Sequence, residues 1–148
     1  MCIVQTDDMP IELVPLCTAT ITLKDPIVLP NTPSGMRTIV EVETAKLEGE
    51  RLSGTMKGAA GADWATIGPD MTCTLDVRMT FETYDGALVF VSYSGRIDLS
   101  KGPGQSPVYA APLFETGDDR YAWLNRVQAV SKGMLDGTTL TYEIAEVR

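Results

Sequence analysis

Histidine is absent from this 148-residue chain, and basic residues are scarce, with 12 Lys and Arg against 20 Asp and Glu and a net charge of −8. Without imidazole the Ser–His–Asp triad is excluded, and any proton transfer falls to Asp, Glu, Tyr, Lys or Cys. A polyanion binder draws its affinity from clustered Lys and Arg that displace counterions. No such cluster occurs here, so nucleic acid is not an expected partner. The cysteines, Cys2, Cys17 and Cys73, are odd in number and far apart. They match neither a zinc-site spacing nor a disulfide scaffold.

Long apolar runs are missing as well. No stretch approaches the ~18 residues of a spanning helix, and the mean hydropathy of +0.02 argues against both a disordered acidic tail and a membrane protein, so no membrane partner is expected. The N-terminus has no basic flank leading into an apolar stretch, so no secretory signal is read and a cytoplasmic location is the expectation. Gly58-Ala-Ala-Gly61 lacks the Lys-Ser/Thr ending of a phosphate loop. The acids do not follow a calcium-loop spacing. No cofactor and no metal are expected.

What the chain does have is a period of two. From Met71 to Glu82, Met71, Cys73, Leu75, Val77, Met79 and Phe81 alternate with Thr72, Thr74, Asp76, Arg78, Thr80 and Glu82. Such alternation predicts a strand with one apolar and one polar face. The turn signal Tyr84-Asp85-Gly86 and the β-rich stretch Ala87–Tyr93 complete an antiparallel hairpin. Further strands are predicted at Cys17–Leu23, Arg37–Glu43, Arg51–Met56, Val127–Ser131 and Thr138–Val147. Loops are predicted at Leu29–Gly35, Lys57–Ala62 and Ser100–Pro107, and 17 threonines suit a pleated surface. The one helical signal lies near residues 116–125, with Thr116 placed to cap it. Eight or so short strands over residues 1–148 point to a single all-β domain, an antiparallel β-barrel with a two-sheet sandwich as the alternative. Residues 1–13 read as a flexible or edge segment.

Several polar and aromatic residues are candidates for a site. Asp63-Trp64 follows a Gly/Ala loop and is either a turn cap with a barrel plug or a carboxylate beside an aromatic wall. Asp76 and Arg78 share a strand face. They are either an exposed ion pair or, if that face is the lumen, a buried site with a shifted carboxylate and an anion-holding Arg. In the catalytic reading Asp63 or Asp76 is the base, and Arg51, Arg78 and Tyr121 stabilise an oxyanion. Trp64, Tyr93, Arg96, Tyr109, Phe114 and Trp123 then bind substrate, although each taken singly also reads as packing. Cys73 reads as an inert core residue.

At these residues the sequence resembles the family called domain of unknown function 3237. The resemblance rests on Glu48–Gly54, Gly61-Ala-Asp-Trp64, Leu75-Asp-Val-Arg78, Glu82–Leu88 and the long stretch Phe114–Arg126. It implies a lipocalin-like antiparallel barrel and little about activity. The chain departs from the family pattern at Gly68-Pro-Asp-Met71, where Arg-Pro-Asp-Gly is usual. It departs again at Tyr109, where Arg is usual, and at Ser131-Lys-Gly-Met134. Two lost arginines suggest a less charged, more aromatic ligand.

Three functions follow as expectations. One is a cofactor-independent isomerase, cyclase or lyase acting on a small organic molecule, aromatic or polyketide- or terpenoid-like, in the lumen. The second is a non-catalytic carrier of the same kind of ligand, and the third is an interaction protein with a filled interior. A homo-oligomer is left open. The catalytic expectation depends on the charged stripe of the Met71–Glu82 strand looking inward toward a hollow; the same side chains wetted around a solid apolar centre would end it.

Overall fold

A computed structural model of the chain describes residues 9–148. Residues 1–8 lie outside the described residues, and with them Cys2 and most of the expected flexible or edge segment. Eleven strands follow in order: β1 Leu13–Leu23, β2 Ile27–Thr32, β3 Gly35–Glu48, β4 Gly54–Met56, β5 Ala62–Ile67 and β6 Thr72–Thr83. They continue with β7 Leu88–Asp98, β8 Val108–Ala110, β9 Leu113–Glu115, β10 Ala129–Asp136 and β11 Thr139–Val147. A single 3₁₀ helix spans Asp119–Arg126.

Eight strands close a ring, β6-β5-β3-β1-β11-β10-β8-β7, and the β6–β7 ladder returns the last to the first. Every pairing is antiparallel, and closure leaves no long unpaired edge within the ring. The short strand β4 sits between β3 and β6 beyond the end of β5, and β9 extends the place of β8 along β7. β2 pairs with β3 alone. It replaces the first half of a predicted loop, because it is exposed along its length and carries Pro30, so no burial pattern marks it.

The helix falls where the signal at residues 116–125 predicts it, but its cap is Asp118 and not Thr116. Asp118 accepts the Arg120 amide at 2.9 Å, while the Thr116 hydroxyl donates to the Leu88 carbonyl. Leu124 and Tyr121 face inward and plug one end of the ring.

The interior takes the apolar face of β6. Cys73, Leu75, Val77, Met79 and Phe81 are all buried, and Asp76 and Arg78 are exposed. The expectation that this charged stripe looks into the lumen is therefore overturned. The ring interior can hold only one face of each strand, and a buried stripe of charges lacking close partners would carry a desolvation cost that five apolar side chains avoid. Among the described residues no helix is long and apolar enough to cross a membrane.

Candidate functional site

The interior is divided. Toward the helix it is packed by Leu47, Met79, Phe81, Val91 and Phe114, and only about 20 Å³ of space is left there. Toward the other end lies a cavity of about 240 Å³. Its walls are small or branched side chains, among them Val40, Val42, Ala65, Cys73 and Val77, and Leu99, Pro103 and Leu135 lie toward its rim. Among the described residues one charged side chain lines it, that of Asp63, and Tyr93 borders both the cavity and the packed half.

Asp63 enters the lumen because of its register. It stands opposite Val40 of β3 and Val77 of β6 and shares its parity with Ala65 and Ile67, all of which line the cavity. The β5–β6 ladder is paired at Ala62–Arg78 and Asp63–Val77 and again at Thr66–Thr74 and Ile67–Cys73. Between these pairs the Asp76 amide donates to Asp63 Oδ1 at 2.9 Å, and Arg37 Nη1 donates to the Trp64 carbonyl at 3.0 Å. The carboxylate thus stands in for a backbone acceptor in the barrel wall while its other oxygen is free of this bond. Burial pushes the Asp63 carboxyl up to about 6, a rise held back by the Asp76 amide and reinforced by the Asp76 charge. Cys73 in the same wall is pushed up to about 11, first by burial and then by Asp63, so it remains a thiol at neutral pH.

The other candidates lie elsewhere. Trp64 points outward beneath Arg78, whose guanidinium carbon is 4.4 Å from the ring centre. That contact accounts for the pairing of these two motifs without a lumen. Asp76 and Arg78 are on the outer face and make no ion pair with each other. Arg51 bonds Glu146 at 2.7 Å and the Pro15 carbonyl at 3.1 Å, and it lies 5.3 Å from the Trp123 ring centre. It ties β1, β11 and the helix together from outside.

Tyr121 donates to Asp85 Oδ1 at 2.8 Å, and Thr83 Oγ1 donates to the same oxygen at 2.6 Å, fastening the helix to the β6–β7 turn. Arg96 is exposed on β7 opposite Tyr109, which is itself exposed, with Lys132 5.9 Å from its ring. Phe114 is buried in the packed half and Trp123 packs against the core from its rim. Of the expected site residues, then, Asp63 and Tyr93 meet at the cavity. The expectation of an arginine in the lumen fails, because the interior is lined by apolar residues together with Asp63, Thr38, Ser131, Tyr93 and Tyr142. Among the described residues no group of three or more Cys, Asp and Glu could hold a metal ion.

Tyr142 was not among the expected residues. Its signal in the sequence is modest: Leu140, Tyr142 and Ile144 share one face of the last strand. It stands edge-on to Tyr93, with ring centroids 5.7 Å apart and an interplanar angle of 79°.

The profile of the family described as "Protein of unknown function (DUF3237)" matches residues 11–147. A UPF0311 protein of Bradyrhizobium diazoefficiens is 31% identical over 122 residues, which cover 72% of this chain and 77% of that protein. The hydroalkoxylation enzyme phnH of Penicillium herquei is 34% identical over 83 residues, 56% of this chain and 48% of that enzyme. The crystal structure of a β-barrel-like protein from Acinetobacter baumannii AYE matches with a TM-score of 0.84 at 26% identity, over 97% of this chain and 100% of that one.

Proposed function

The chain belongs to the family described as Protein of unknown function (DUF3237), and from that premise and the chemistry of the cavity we propose that it is a cofactor-independent enzyme that moves a proton on an apolar small molecule, with Asp63 as the acid–base group. The observation that carries this is the placement of one carboxyl, with a pKa of about 6, as the lone charge in an apolar cavity of about 240 Å³. An apolar cavity of about 150 Å³ binds benzene, so this one accommodates a substituted ring. A carboxyl with a pKa close to the working pH is suited both to take a proton and to return it.

Likeness to a hydroalkoxylation enzyme supports the reaction class. In such a reaction an O–H adds across a C=C bond. Asp63 takes the hydroxyl proton as oxygen bonds to one alkene carbon, and the resulting acid delivers that proton to the other carbon. One O–H and one π bond are lost, one C–O and one C–H bond form, and nothing is oxidised or reduced. Isomerisation and ring closure by other substrates use the same shuttle. The apolar walls exclude water, which strengthens the interaction between the carboxylate and the reacting hydroxyl.

The test is the cyclisation of 2-allylphenol, or of whichever unsaturated alcohol proves to be turned over, followed by NMR. Asp63→Asn is expected to lower the rate by roughly 10²–10⁴, and Asp76→Asn, on the outer face, to leave it near wild type. The wild-type kcat/KM should rise as pH passes about 6. An Asp63→Asn enzyme with unchanged turnover ends the proposal. The absence of Lys and Arg from the cavity lining favours a second reading, a carrier, for which ligand would bind tightly and emerge unchanged.

A further inference from the structure

One polar group in the packed half, behind the cavity wall, has no part in the chemistry above. Tyr142 is 2% exposed, and its hydroxyl makes no well-formed hydrogen bond among the described residues, the Tyr93 hydroxyl being the one near enough to interact with it. Its ring is held in place. It lies over Gly133, where a Cβ would come within 2.6 Å of Tyr142 Cδ1, and its neighbour on the cavity side is Tyr93. A buried O–H without a partner is costly and rare, and a Phe of the same shape would fill this slot without that cost. Both phenols stay protonated: burial is the main cause at each, Tyr142 and Asp63 add to it at Tyr93, and at Tyr142 the Tyr93 hydroxyl offsets part of a rise that Asp63 and Cys73 reinforce. They can therefore only be donors to an incoming acceptor or acceptors from one another.

We infer that Tyr93 and Tyr142 form an oxygen-recognising end of the cavity, and that the ligand is an uncharged, largely hydrocarbon molecule carrying one acceptor oxygen, such as a ketone or hydroxyl oxygen, that takes a hydrogen bond from this phenol pair. Tyr93, which lines the cavity, meets the ligand. Tyr142, behind it, is a positioning residue whose hydroxyl gains a partner when Tyr93 turns its own donor to the ligand. An anionic ligand is disfavoured, since its charge would be desolvated beside Asp63 with no Lys or Arg in the lining. An ammonium ligand would turn to Asp63 and leave the phenols idle. The inference rests on the cavity being the ligand site, as proposed above, but not on any proton transfer by Asp63.

Three probes of one shape test it: 2-acetonaphthone, 2-ethylnaphthalene and 2-naphthoate, titrated into the full chain at pH 7.5 by fluorescence. The ketone is expected to bind about three- to tenfold more tightly than the hydrocarbon, and the carboxylate at least about tenfold more weakly than the ketone. In Tyr93→Phe the ketone-to-hydrocarbon ratio should fall to about one, and in Tyr142→Phe it should fall part of the way while the melting temperature of the free protein holds or rises. A ratio that survives Tyr93→Phe overturns the inference alone. So does a lowered melting temperature in Tyr142→Phe with an unchanged ranking, which would make a resident water the hydroxyl's partner. Preference for the carboxylate overturns it as well. If no probe binds the wild type, the cavity is not a ligand site, and the reading beneath the inference falls with it.

Discussion

Two halves of one barrel interior share the same strands and the same alternation, yet differ in what fills them. On β6, Met79 and Phe81 face the packed half and Cys73, Leu75 and Val77 face the hollow one. On β3, Leu47 faces the packed half, and Thr38, Val40 and Val42 face the hollow one. The backbone contributes the same ring to both, so the difference lies in side-chain volume. Large flexible and aromatic residues meet across one end, while β-branched and small residues cannot reach one another across the other. The end that is not filled is also the one that admits a charge. In this fold a cavity is made by withholding volume, with one charged residue set into the space.

The comparison is broken most forcefully by truncation in the packed half. Phe81→Ala should cost about 3–5 kcal/mol in urea unfolding, because its neighbours cannot collapse into the void. A cost under about 1 kcal/mol would show that this half is no better packed than the other. Enlargement sharpens the contrast. Ala19→Leu, which lines the packed half, should destabilise by about 1–3 kcal/mol, whereas Ala65→Leu in the hollow half should be nearly neutral and block probe binding. Equal penalties at the two alanines would dissolve the distinction.

Next comes the charge. A carboxyl with an ordinary value of 3.8 is held at about 6 in the folded protein. Between these values the folded state keeps a proton that the unfolded chain has released, so stability falls as pH rises through that window and stays lower above it. Asp63→Asn removes this penalty and keeps an acceptor for the Asp76 amide. It should gain about 1–3 kcal/mol at pH 8 and almost nothing at pH 4. Identical gains at both pH values would mean that the cavity does not desolvate this carboxyl.

The smallest effect lies at the rim of the hollow end, where Met71 bonds the Leu99 amide through its carbonyl. Met71 adopts a φ of +64°, at the position where the family pattern leads one to expect Gly. Met71→Gly should gain about 0.5 kcal/mol, the relief of a left-handed side chain being partly offset by the entropy of the unfolded glycine. A loss would show that the exposed methionine packs on the rim.

Much of the barrel was legible in advance. The β6–β7 hairpin, the Asp136-Gly137 turn between β10 and β11 and the short helix each carry a local signature. β2, β5, β8 and β9 were not legible. β2 is exposed throughout, β8 and β9 are three-residue pieces around Pro112, and β5 mixes Asp, Trp, Ala and Thr on its two faces.

The mixed strand is also where the candidate site divides. Asp63 and Trp64 read together as a carboxylate beside an aromatic wall, yet the register opposite Val40 and Val77 turns Asp63 inward and leaves Trp64 outside under Arg78. Taken alone, the order of residues determines that this chain forms strands and which side chains of β6 share a face, because a period of two is a property of each strand by itself. Which face becomes the interior, which acid of Asp63 and Asp76 is taken out of water, and that Tyr93 meets Tyr142 depend on which strands lie side by side. Those outcomes were decided only when the ring closed, since they depend on contacts between residues far apart in the chain.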